Sequence, residues 1–393
     1  MKSENSLKHL SVKLNKSDII FYLIFGCLII DSINGYLIRE HDLSASPIYK
    51  AAILIFCFFY LRARQIAPII LPFLFVFFHA FSLTSQHALA SSFDWITKIV
   101  FLYVLLSFFN NKIDYSKLVS LCYFSFIVVS ISVWLGYFGY GYSQYEFMDS
   151  SYGTRGFFYA GNELSILLLC SVGVLMLDYV SKDEWRKFLL FSFFAVATAA
   201  VTATKTSLGS ILIMFILIPI ISSYSGWRSY WYKICLILFF PIISYLAYQY
   251  FSEGTGQLSR LTYFYERNGL LTLIFSYRNI WAAQALELFK NYGLWDMFLG
   301  QGLQWIELMP HNGIVEIDFV DILMSYGFLG VIMIYGFFIS ILIRVYKNRN
   351  IGIFAILLLL FGVSSTAGHV VFSGVAAPLI AATMVIGMKH RSL

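Results

Sequence analysis

Between Arg155 and Asp321 the chain carries a set of groups whose types could bind phosphate and move a proton. They are the cations Arg155, Lys205, Arg260, Arg267 and Arg278, the imidazole of His311, and the carboxylates Glu163, Glu316, Asp318 and Asp321, with Asn162 among them. Several cations gathered in one place suit a diphosphate, and an arginine grips best because its planar fork matches two phosphate oxygens. A carboxylate or imidazole beside them could take the proton from an attacking hydroxyl. Lys205 is the most telling cation. It lies in Thr202-Ala203-Thr204-Lys205-Thr206-Ser207, a polar tip between two long apolar runs, where a tight turn needs polar residues but not a lysine. Asn162 and Glu163 follow Arg155-Gly156-Phe157-Phe158 at the start of another apolar run. Glu163 there needs a partner, and Arg155 or Lys205 would serve, in a site or in a structural pair.

His311 stands in Pro310-His311-Asn312, five residues before Glu316 and at the mouth of an apolar segment. Glu316, Asp318 and Asp321 place three carboxylates within six residues. That spacing could suit a divalent metal, but the nearby groups are mostly cations and would repel one. Arg260 and Arg267 read equally well as interfacial or ion-paired side chains. Gly300-Gln301-Gly302 reads as a turn, Asp94 and Lys98 as a helical i,i+4 bridge, and Asp31 as an acid inside an apolar segment with no evident partner.

The elements that must position these groups are membrane helices. Of the 393 residues, 59% are hydrophobic and only 12% charged, with mean hydropathy +0.76, whereas soluble domains carry about 25% charged residues. The fold class expected is an all-α polytopic membrane protein. Apolar segments long enough for a bilayer, about 20 residues each, recur near 18–38, 47–61, 66–83, 91–109, 117–138, 156–179, 187–203, 206–222, 232–251, 319–345, 351–367 and 369–388. Residues 1–17 form a lysine-bearing cytoplasmic segment with an amphipathic stretch. The division is then 18–251 as spans, 252–318 as one large outer loop, and 319–393 as further spans with a short tail. Within the loop, Leu270 to Phe275 followed by Ile280, Trp281, Ala285, Leu286 and Phe289 reads as an amphipathic helix on the outer membrane surface.

Charge sets the orientation. Placing the N-terminus in the cytoplasm puts 18 of the 27 Lys and Arg residues on that face and leaves 9 outside, as the positive-inside rule requires. Both termini are then cytoplasmic and the large loop external. The net charge of +6 is accounted for by this anchoring, and no basic stretch is long enough to track nucleic acid. The five cysteines all fall in apolar segments, so neither a disulfide frame nor a thiolate metal site is indicated.

Taken together, Arg155-Gly156-Phe157-Phe158 with Asn162-Glu163, the turn Thr204-Lys205-Thr206-Ser207, Arg278-Asn279-Ile280-Trp281, Leu299-Gly300-Gln301-Gly302, and Glu316-Ile317-Asp318-x-x-Asp321 with Tyr326-Gly327-x-x-Gly330 resemble the O-antigen polymerase and O-antigen ligase superfamily. The similarity runs from about Arg155 to Gly330. It implies a GT-C type glycosyltransferase of the bacterial inner membrane, working at the periplasmic face on undecaprenyl-diphosphate-linked glycan without metal or nucleotide. The diphosphate-binding roles of that family would fall on Lys205 and Arg278, with Arg155, Arg260 and Arg267 as further candidates. The catalytic role would fall on His311, with Glu316 or Asp318 sharing or taking the base. Lys205 departs from the usual arginine, and so keeps the charge without the fork.

The Glu-x-Asp-x-x-Asp pattern favours a polymerase, which joins lipid-linked donor and acceptor repeat units alongside a flippase and a chain-length regulator. A ligase acting on lipid A core is the nearest rival. A lipid-linked oligosaccharide flippase or transporter is a rival of another class, but it should show broken helices repeated in two halves. A non-catalytic assembly partner would tolerate loss of the cations. Tyr137, Tyr140, Tyr142, Tyr145, Tyr152 and Tyr159 read first as an interfacial aromatic belt and second as sugar-stacking groups.

Overall fold

The computed structural model describes residues 15–62, 89–147, 150–221, 274–310, 313–368 and 370–389, with isolated positions between 65 and 272. The helices are α1 (Lys16–His41), α2 (Ser46–Tyr60), α3 (Leu89–Lys112), α4 (Tyr115–Leu135), α5 (Gly161–Ser181), α6 (Trp185–Thr202), α7 (Lys205–Ile221), α8 (Arg278–Lys290), α9 (Leu294–Leu299), α10 (Asp318–Lys347), α11 (Ile351–Thr366) and α12 (Ala377–Lys389). Between α4 and α5 lies an antiparallel hairpin of β1 (Tyr142–Phe147) and β2 (Ser150–Gly156). Six of the described helices are long and apolar enough to cross a membrane, and α2, α7, α11 and α12 are shorter apolar ones. The chain is thus an all-α, multi-pass membrane protein. The expected spans 66–83 and 232–251 and the N-terminal amphipathic stretch lie outside the described residues.

A helix that is apolar on every side lies in lipid or among other helices. α5 is such a helix, with 89% of its span buried, and it packs against α4, α6, α7, α11 and α12. α12 is similar: every residue from Ala377 to Met388 is buried, against α3 above all. These two helices form the centre of the bundle. Because α5 is held on every side, residues at its N-terminal end are fixed in position.

The hairpin was not anticipated; the sequence reading began the sixth span at 156, where the structure still has strand. Tyr145 and Tyr152 pair across the strands with ring centroids 5.5 Å apart, the kind of cross-strand aromatic contact that holds an antiparallel pair. The hairpin is tied to the end of α1: the Tyr142 hydroxyl donates to Glu40 Oε1 at 2.9 Å, and the Arg39 guanidinium lies 4.4 Å from the Tyr142 ring centroid. Its other side rests on the α6–α7 turn. At Gly153, whose φ is +64°, a side chain would meet the Thr202 carbonyl oxygen at 2.7 Å, so only glycine fits both the backbone and the space.

The α10 segment is two helical pieces broken at Gly327, where φ is 62° and ψ −166°, a conformation open essentially to glycine alone. Gly300-Gln301-Gly302 fills the break. The amide of Gln301 donates to the Met324 carbonyl at 3.3 Å, and that of Gly302 to the Ser325 carbonyl at 3.0 Å. Carbonyls freed by the break therefore find donors, as irregular backbone inside an apolar bundle requires. The Trp305 indole adds a bond to Ser325 Oγ at 2.9 Å. What reads in sequence as a turn is a plug in a helix.

The last expected span, 369–388, is shorter than anticipated. Its helix starts at Ala377, and the residues before it form a buried irregular loop. Asp318 holds that loop. Its Oδ2 accepts from Ser364 Oγ at 2.8 Å and from the amides of Val370 and Val371 at 2.9 and 3.1 Å.

Candidate functional site

Three helix starts meet at one end of the bundle. At the first, Ala203 takes a left-handed turn (φ 56°), and Thr204 Oγ1 then accepts from the Ser207 amide at 3.2 Å, which caps α7. Behind the cap the hydroxyls of Ser165, Thr204 and Ser207 bond one another at 2.6–3.0 Å and are buried. Lys205 is the first residue of α7, and its ammonium donates to Ser276 Oγ at 3.1 Å.

At the second start, Ser276 and Tyr277 are both left-handed (φ 52° and 74°), and they turn the chain so that Arg278 opens α8. Arg278 Nε donates to Glu316 Oε2 at 2.9 Å, and its Nη2 pairs with the same oxygen. Glu316 is itself left-handed, with φ 60°. Non-glycine residues in this region cost of order 1–3 kcal/mol each and gather where the surrounding structure enforces a functional shape. At the third start, Gly161 and Asn162 begin α5. Gly161 leaves room for Gln144 of the hairpin, whose amide a Cβ there would strike.

Lys205, Arg278, Glu316, Asn162, Gln144 and Tyr145 line one cavity of about 440 Å³. That volume lies within the range of small-molecule sites, roughly 300–1,000 Å³. The formal charge of its lining residues is positive: two cations against one carboxylate. The N-terminal ends of α5, α7 and α8 add the positive ends of their helix dipoles. Such a site attracts an anion of more than one charge, and phosphate at helix N-termini is a recurrent case.

The structure thus brings together Lys205, Arg278, Glu316 and Asn162. It places the other expected residues elsewhere. Asp318 is fully buried and bound by the loop amides and Ser364, away from the cavity lining. Asp321 is 1% exposed and accepts from the Val315 amide at 2.9 Å. Both acids shape the start of α10. Arg155 turns back on its own loop, donating to the Tyr159 carbonyl at 2.8 Å. Glu163 meets neither Arg155 nor Lys205 as expected. One helical step from Asn162 turns it to the opposite side, where it accepts from Ser373 Oγ at 2.9 Å. His311, Arg260 and Arg267 lie outside the described residues.

Gln144 and Ser276 were missed in the sequence and lie on the cavity wall, together with Tyr145, read first as part of an aromatic belt, and Trp281, read as part of the loop helix. The alternation of aromatic and polar residues from Tyr142 onward was the available signal for Gln144. Ser276 gave none, since its role comes from a backbone turn. The expected helix in the large loop is present in part: α8 starts only at Arg278, after the turn at Ser276 and Tyr277, with Ala285 and Phe289 buried and Phe289 against Phe328 at 5.6 Å between centroids. Outside the membrane-like interior, Tyr142 and Tyr292 have phenols held above the ordinary range, in each case first by burial. Neither a scan of protein-family models nor a search of curated proteins finds a match to this chain.

Proposed function

We propose that the chain is a glycosyltransferase of the bacterial inner membrane that lengthens a surface polysaccharide from undecaprenyl-diphosphate-linked repeat units. The observation that supports it is the convergence of Lys205 and Arg278, each at the first position of a helix, in one cavity beside Glu316. With the N-terminus cytoplasmic, the end of the bundle bearing this cavity is the periplasmic one, within reach of lipid-linked donor and acceptor. The bilayer supplies the path for both lipid tails.

In the reaction, a hydroxyl oxygen of the acceptor sugar attacks the anomeric carbon of the donor. The bond from that carbon to the diphosphate oxygen breaks, and its electron pair leaves with the diphosphate. Lys205, Arg278 and the amide ends of α5 and α7 stabilise the leaving charge, the kind of preorganised electrostatics that dominates many enzymes. Glu316 accepts the hydroxyl proton, with His311, five residues upstream in sequence, as the alternative base. The Arg278–Glu316 pair suits this order of events. A bound diphosphate competes for the guanidinium, and the carboxylate it releases becomes the stronger base.

The test is surface polysaccharide length on a gel, in a deletion strain complemented with Arg278→Ala or Lys205→Ala at matched expression. Single repeats on lipid A core, with the ladder gone, are expected. Free polymer without core-linked material would identify a ligase. Normal ladders from both variants would overturn the catalytic reading and favour a flippase, transporter or assembly partner.

A further inference from the structure

A second cavity, of about 260 Å³, lies at the same end of the bundle, walled by α1, α2, α3, the start of α5 and the loop before α12. The segment from Tyr159 to Glu163 divides the two: Ala160, Gly161 and Asn162 face the first cavity, Tyr159 and Glu163 the second. Its charged groups are Asp31, Lys50, Asp94, Lys98 and Glu163. Lys50 pairs with Asp31 at 2.6 Å and Lys98 with Asp94 at 2.6 Å, so each ammonium is already neutralised. Asp31 is 5% exposed; its Oδ1 takes Lys50 and Ser46, while its Oδ2 is buried with no hydrogen-bond partner. A buried acceptor left open in this way takes a water or another donor.

The chemistry of the walls selects the ligand class. A phosphate or carboxylate would meet a lining of net negative formal charge, three acids against two ammoniums. A metal ion would meet those ammoniums, and no cluster of three or more His, Cys, Asp or Glu suited to a metal occurs among the described residues. An uncharged ligand rich in hydroxyls meets neither objection. Its O–H groups can donate to the Glu163 carboxylate, which lines the cavity. Its apolar ring face can lie on Tyr159, which is 55% exposed. The volume falls below that of drug-sized sites and fits a single sugar ring, not a lipid-linked oligosaccharide.

We propose that this second cavity is a monosaccharide-binding site, distinct from the cationic cavity beside it. Its assignment as the seat of an acceptor sugar rests on the function proposed above; that it binds a neutral sugar does not.

The experiment titrates the full-length protein in lipid nanodiscs with methyl glycosides of glucose, galactose, N-acetylglucosamine and rhamnose, by saturation-transfer NMR and calorimetry. At least one glycoside should bind. Affinity should fall about tenfold or more in Glu163→Gln, which removes a charge-assisted bond, and in Tyr159→Ala. Gly374→Leu should abolish binding by filling the cavity: a Cβ there already lies 3.3 Å from Lys98 Cγ and 3.6 Å from Lys50 Nζ. Tyr159 is at the surface, so its variant remains a test if the two interior variants do not fold. The proposal is overturned if no glycoside binds, if binding survives Tyr159→Ala and the folded interior variants, or if Lys205→Ala abolishes it while they do not. The polysaccharide ladder reports separately. Ladders lost in Arg278→Ala with sugar binding indifferent to the second cavity sink this inference alone. Normal ladders with cavity-dependent binding sink the proposed reaction and leave the sugar site standing.

Discussion

The two cavities stand on either side of one helical step and use charge in opposite ways. In the first, Lys205 and Arg278 sit at helix starts, and Arg278, 14% exposed at its side chain, is balanced by a single carboxylate that is 32% exposed. In the second, Lys50 and Asp31 are 12% and 3% exposed at their side chains, and hold each other inside the bundle. A half-open ion pair can exchange partners with a ligand, whereas a buried one is fixed, because separating it leaves a desolvated charge. The same residue types therefore make a reactive surface in one place and a structural brace with one open acceptor in the other. Burial decides which.

The most severe way to break that comparison is to remove the exchangeable charge. Arg278→Ala or Lys205→Ala should lower the proposed polymerisation about 10²–10³-fold, as loss of a preorganised charge-stabilising group does, with little change in unfolding temperature. Arg278→Lys should recover only part of the rate, since the charge returns without the fork. The readout is glycan length together with thermal unfolding on the same preparation. The buried pair should respond the other way. Asp31→Ala should cost about 3–5 kcal/mol by stranding Lys50, and adding Lys50→Ala should restore part of that loss. Equal stability of the single and double variants would erase the distinction drawn between the cavities.

A smaller effect is expected at the α7 cap. Thr204→Ala removes the acceptor for the Ser207 amide and a member of the hydroxyl cluster, for about 1 kcal/mol. It should also weaken donor binding by misplacing Lys205, which would show as a raised KM. The smallest effect concerns pH. Burial, then the Glu40 hydrogen bond, raises the Tyr142 phenol above its ordinary value of 10.0. A group raised in the folded state contributes its stability fully below the unfolded value and loses it as pH climbs through the folded one. The hairpin of the wild type should therefore loosen only above about pH 10, and Tyr142→Phe should remove that dependence. Hydrogen exchange of the hairpin amides is the check.

Much of the helical framework was legible because lipid imposes a length and a composition. The ten described apolar helices begin and end close to where apolar runs do, apart from α5 and α12, where strand or buried loop borrows apolar residues. Lys205, Arg278 and Glu316 were legible as charges out of keeping with their neighbours. Their mutual contact was not, since Arg278 and Glu316 lie 38 positions apart. Glu163 was misassigned for the same reason: its partner Ser373 is 210 positions away, while Arg155 looked near only along the chain. Asp31 found Lys50 on the next helix, a contact set by how α1 and α2 cross. Periodicity tells which face is apolar, and on a helix buried all round it tells nothing about which side a lone acid takes.

The clasp around Asp318 has a consequence for how the protein comes into being. Its carboxylate waits for the amide of Val370, translated 52 positions later, and Gly368 packs against the backbone of Glu316, where a Cβ would collide. Glu316 therefore acquires its shape only after the chain has returned across the bilayer twice more. A ribosome stalled between α10 and α12 leaves a bundle that is already inserted yet has no seat for that carboxylate. Quality control would meet an unfinished chain there, and the reaction proposed above could not begin.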